Sequence, residues 1–129
     1  MRTTLKALLI ALNLIGVAAP IAAHHSWTAE YDAAKPVTVK GVVTKVEWTN
    51  PHTHFYVDVK AEDGSVTNWN FEMASTLALE RGGFTRRTLQ VGEEVTIGGY
   101  GGKAVTTRAV ASSITKADGR ALFVGAPGQ

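Results

Sequence analysis

The sequence predicts an all-β domain, mostly strand with one short helix, folded as a small OB-like barrel of five to six strands. Three observations carry that expectation. Stretches rich in β-branched and aromatic residues alternate with a period of two. The two cleanest are joined by Ala61-Glu62-Asp63-Gly64-Ser65, a connection of hairpin length. A single helix-like stretch follows the third strand, where an OB-like barrel has its plugging helix. An immunoglobulin-like sandwich is the alternative, but it accounts for neither the helix nor an early bend in the first strand.

The chain opens as a secretory signal peptide reads. Arg2 and Lys6 precede an apolar run from Ala7 to Ala19, and small residues close the segment. That run is shorter than the ~20 residues a membrane span needs, so no stable membrane insertion is expected once the signal is cleaved. Cleavage after Ala23 makes residues 1–23 the signal and His24 the mature N-terminus, with Ala23 as the alternative first residue. The expected location is the periplasm. Removing Arg2 and Lys6 takes the lysines and arginines from 13 to 11, against 11 acids, so the mature charge is near zero and gives no basis for nucleic-acid binding. The chain has no cysteine, which excludes disulfides and thiolate metal sites.

Residues 24–36 lack either period and end at Pro36, as an extended arm leading into the domain at 37–129 would. In the first strand Val37 and Val39 share one phase, while Val42, Thr44, Val46 and Trp48 share the other. The slip falls at Gly41, where a bulge is expected. In the second strand Phe55, Val57 and Val59 oppose His54, Tyr56 and Asp58. In the third, Trp69, Phe71 and Met73 oppose Asn68, Asn70 and Glu72. A three-residue loop with Gly64 left-handed sets Asp58 against Asn68, Tyr56 against Asn70, His54 against Glu72, Phe55 against Phe71 and Val57 against Trp69. Ser75 is the helix N-cap and Gly82 its C′ residue. Glu93 to Gly101 and Arg108 to Gly125 supply the remaining strands, the latter doubling back at Asp118-Gly119. The aromatics Trp48, Trp69, Phe55, Phe71, Phe84 and Phe123 are read as core or core-rim residues. Trp27 is read as pinning the arm to the barrel.

These stretches, together with "AHHSW", "EYDAAKPVTVKGVVTKVEWTNPH", "VGEEVTIGGYG" and "DGRALF", resemble a family of small exported bacterial proteins catalogued as domain of unknown function 6152. The paired His24-His25, Ser26 and the Asn50-Pro51-His52 turn match that family's most characteristic residues, whereas His54 stands where the family usually has another residue type. The resemblance implies an exported OB-like domain and no particular reaction.

All four histidines lie in two clusters, His24-His25 and His52-x-His54. With His24 as the first residue, its free amine and imidazole can chelate Cu(II), and a further imidazole such as that of His52 can complete a square-planar nitrogen site. With Ala23 first, the amine, the intervening amides and His25 can wrap Cu(II) or Ni(II) instead. His54, and Glu72 opposite it, are lesser candidate ligands; a turn or solvent-facing role is the alternative for His52 and His54. A second candidate surface is the polar face of Tyr56, Asp58, Asn68 and Asn70. It suits a protein or small-ligand contact in the periplasm, although a plain solvated strand face has the same pattern. Arg81, Arg86 and Arg87 read as helix-end charges or an anion contact.

No catalytic residues are expected. Ser26, His25 and Asp32 are sequence neighbours without fixed geometry, and Gly98 to Lys103 has no helix behind it to make a phosphate loop. The expectation is a non-enzymatic exported module that binds copper or another transition metal through His24, His25 and His52, with the interaction face as the alternative.

Overall fold

A computed structural model describes residues 27–125, with α1 (Trp27–Glu30), β1 (Tyr31–Glu47), β2 (His54–Lys60), β3 (Val66–Glu72), α2 (Thr76–Arg81), β4 (Glu94–Gly102), β5 (Arg108–Lys116) and β6 (Ala121–Leu122). The strands neighbour one another in the order β3-β2-β1-β4-β5-β6. A parallel pairing of β3 with β5, Asn70 to Arg108 through Glu72 to Val110, closes the ring. The result is the OB-like barrel of six strands that the alternation predicts. No helix among the described residues is long and apolar enough to cross a membrane.

β1 is long enough to serve two neighbours. Its residues from Tyr31 to Val42 pair with β4, and those from Val42 to Glu47 pair with β2. Sheet pairing therefore begins at Tyr31, before the expected domain start at Val37, and α1 precedes it where an extended arm was expected. The handover between neighbours explains Gly41: a Cβ there would sit 2.4 Å from the Asp58 carbonyl oxygen and 2.6 Å from Val57 Cγ1. The bulge itself falls between Val43 and Lys45, not at Gly41. Consequently Val42 is 41% exposed and Val43 only 1%, the reverse of the expected phase. A glycine demanded by close backbone approach looks, in sequence, like a glycine demanded by a bulge.

The β2–β3 register is the one predicted, pair by pair, and Gly64 closes the loop at φ 86°. Phe55 and Phe71 meet across it with ring centroids 5.3 Å apart, both fully buried. Together with Val57, Ile97, Ile114 and Leu79 they form the core; each such side chain contributes about 2 kcal/mol through burial. Ser75 caps α2, its Oγ accepting from the Ala78 amide at 3.3 Å. The helix ends one residue later than expected: Gly83, at φ 83°, is the left-handed residue, and the Gly83 and Phe84 amides donate to the Glu80 and Leu79 carbonyls. The β5–β6 hairpin doubles back at Asp118-Gly119 as expected. Phe123 is no core residue. It is 48% exposed, and it lies against the Gly82 backbone, where a Cβ would be 2.1 Å from its ring.

Candidate functional site

Glu72 ends β3 on the strand's polar phase, yet it is only 6% exposed. A buried carboxylate is costly unless charged or polar partners replace its water, and three partners do so. Tyr31, the first residue of β1, donates its hydroxyl to Glu72 Oε2 at 2.5 Å. Arg108, the first residue of β5, donates from Nη2 to the same oxygen at 3.0 Å. His52 Nδ1 approaches the other oxygen, Oε1, to 2.5 Å as an ion-pair contact. Both carboxylate oxygens are thus occupied.

Each donor is held by the fold. The parallel β3–β5 pairing carries Arg108 to Glu72, and the guanidinium also reaches Glu30 Oε2 at 3.0 Å and covers the Tyr31 ring at 5.5 Å. His52 lies in the turn after Asn50-Pro51. The Thr76 amide and hydroxyl both donate to Asn50 Oδ1, tying that turn to the start of α2. On the other side of His52, backbone hydrogen bonds join Thr53 to Met73 and Ala74. Burial first, and then the hydrogen bond to Glu72, push the Tyr31 hydroxyl well above the ordinary tyrosine range, with Arg108 opposing.

The chain's entry is fastened beside this centre. The Trp27 ring packs on Tyr100 of β4 with centroids 5.7 Å apart. The Lys103 amide donates to the Glu30 carbonyl at 2.9 Å, and its Nζ to the Thr28 carbonyl at 2.6 Å. Trp27 therefore does pin the chain's entry to the barrel. His24, His25 and Ser26 lie outside the described residues.

His54 is the register partner of Glu72, but its Nδ1 donates sideways to Asn70 Oδ1 at 3.0 Å. The structure thus brings His52, not His54, to the carboxylate. Among the described residues no group of three or more histidine, cysteine or acidic side chains is arranged to hold a metal. Farther along the same face the polar groups pair with each other. Tyr56 donates to Glu47 at 3.1 Å, and Asn68 Nδ2 donates to Asp58 Oδ1 at 2.7 Å and to Thr44 Oγ1 at 3.2 Å. Arg86 lies over the Trp48 ring at 5.8 Å.

Sequence reasoning named Glu72 and His52 but missed Tyr31, Arg108 and Glu30. The signal for Tyr31 was its place as the aromatic next to the acid-flanked start of the strand pattern. For Arg108 it was its place opening a strand, directly before the apolar Ala109-Val110-Ala111. Neither signal says that the two ends meet.

No protein of curated function and no solved structure matches the chain. The profile of the family of unknown function DUF6152 matches residues 11–111, most of the sequence and the barrel as far as the first residues of β5, and the chain belongs to that family.

Proposed function

We propose that the chain is an exported, non-enzymatic binding module that holds a transition-metal ion, copper foremost, through His24, His25 and His52 in the periplasm. The observation that carries this reading is the close approach of His52 Nδ1 to the buried Glu72, 2.5 Å from Oε1. Metal-ligating imidazoles commonly donate their second ring N–H to a carboxylate, which fixes the tautomer and raises the basicity of the ligating nitrogen. Here Glu72 is itself locked by Tyr31 and Arg108, so His52 is oriented through Nδ1 and Nε2 is left as its ligating nitrogen. The His52 side chain is 31% exposed, enough for an ion to reach.

The remaining donors would come from the chain's own entry. Glu30 and Tyr31 touch the same cluster, and His25 precedes Glu30 by five residues, at most about 18 Å of chain even if fully extended and less with Trp27–Glu30 helical. After cleavage before His24, its amine and imidazole would chelate the ion and His52 Nε2 would complete the nitrogen set. The interaction-face alternative draws less support, because Tyr56, Asp58, Asn68 and Asn70 already satisfy one another or their neighbours.

A competitive Cu(II) titration of protein processed by its own signal, with the N-terminus fixed by intact mass, tests the reading. One ion should bind at about 1 µM or tighter. His52→Ala should weaken binding by about tenfold or more, and Glu72→Gln by a comparable factor through His52. Affinity indifferent to His52 would leave only an N-terminal chelating tail and refute the folded site.

A further inference from the structure

At the far end of β5, about 25 Å along the strand from Arg108, a second region has ligand-binding character. A cleft of about 360 Å³ lies between the end of α2 and the β5–β6 hairpin, within the size range of small-molecule sites. Its charged lining is cationic: Arg87, Lys116 and Arg120, with no acidic side chain among the lining residues. Lys116 is already neutralised by Glu93 at 2.8 Å. Arg87 has no ion-pair partner among the described residues. Arg120 has only a loose contact with Asp118 at 3.7 Å, both side chains being more than 60% exposed.

The α2 wall does not compete for these cations. The Ala78, Leu79 and Glu80 carbonyls that would otherwise face outward are taken up by the Gly82, Gly83 and Phe84 amides. Beside the arginines, Phe123 is 48% exposed but braced against the Gly82 backbone, so it offers a fixed aromatic face. An exposed aromatic adjoining two uncommitted guanidiniums suits a ligand with one flat apolar end and one anionic end.

We infer that this cleft binds small aromatic carboxylates, the carboxylate held between Arg87 and Arg120 and the ring stacked on Phe123. The site is independent of the metal reading, since it shares no residue with the His52 centre.

An amide NMR titration of the mature protein with benzoate tests it, with benzylamine as a cationic probe of the same shape and inorganic phosphate as an anion without a ring. Benzoate should give saturable shifts at Gly82, Gly83, Leu122 and Phe123, with phosphate weaker and benzylamine silent there. Arg87→Gln combined with Arg120→Gln should weaken benzoate by about tenfold, and Phe123→Leu should remove the preference for benzoate over phosphate. Both arginines are exposed, so the double variant keeps its fold, which its unchanged amide spectrum elsewhere verifies. No saturable benzoate shifts at about 10 mM, an equal response to benzylamine, or binding indifferent to the arginine pair would each overturn the inference.

Discussion

Glu72 and Asp58 stand on the same face of the same two strands, each opposite a polar residue across the β2–β3 ladder, and they live in different physical worlds. Glu72 is buried under Tyr31, Arg108 and His52, whereas Asp58 shares an open face with the exposed Asn68. Ring closure makes the difference. The parallel pairing with β5 covers β3 only from Asn70 to Glu72, and the start of β1 folds over that end, while no described strand pairs over the other. Alternation therefore assigns a side chain to a face, but closure of the barrel decides whether that face is wet.

The largest expected contrast is in stability. Glu72→Ala strips the acceptor from Tyr31 and Arg108 and the ion-pair partner from His52, and should cost about 3 kcal/mol in urea unfolding, toward the lower end for a broken buried pair because Arg108 stays about one-third exposed. Asp58→Ala should cost about 0.5 kcal/mol or less, as an exposed surface pair does. Equal costs would mean that burial at Glu72 has no energetic consequence.

Tyr31→Phe removes one charge-assisted hydrogen bond and should cost about 1.5 kcal/mol. It should also change the alkaline limb of stability. An unfolded tyrosine ionises near pH 10, while burial and Glu72 keep folded Tyr31 protonated above that. The stabilisation is fully present below pH 10 and is lost as pH rises toward the raised folded value, at up to about 1.4 kcal/mol per unit. Tyr31→Phe should flatten that decline. Tyr56, raised by burial and then by its bond to Glu47 but lying on the open face, should show the same sign with a smaller amplitude when changed to Phe. A larger effect from Tyr56 would reverse the assignment of the two regions. The smallest effect should be that of Asn68→Ala, within about 0.5 kcal/mol.

What was legible in the sequence follows the range of the interactions. The β2–β3 register was readable because a short glycine loop and a parity rule leave one pairing that keeps Phe55 with Phe71. The Ser75 cap was readable because capping is local. The phase slip of β1 was placed at Gly41 rather than between Val43 and Lys45, because Gly41 answers to Asp58 and Val57 on another strand rather than to a bulge of its own. The site was half readable. Asn50-Pro51-His52 and Glu72 drew notice by residue type, but the cluster joins residues 31, 52, 72 and 108, whose meeting depends on a parallel pairing that no local pattern encodes.

On the proposed reading, His52, anchored by Glu72, ligates the same ion as the mature N-terminus. Electron paramagnetic resonance of the one-to-one Cu(II) complex tests it most directly, through the nitrogen superhyperfine pattern of wild type beside His52→Ala. Loss of one imidazole nitrogen from the coordination set in the variant is the predicted result. Identical spectra from the two proteins would contradict it.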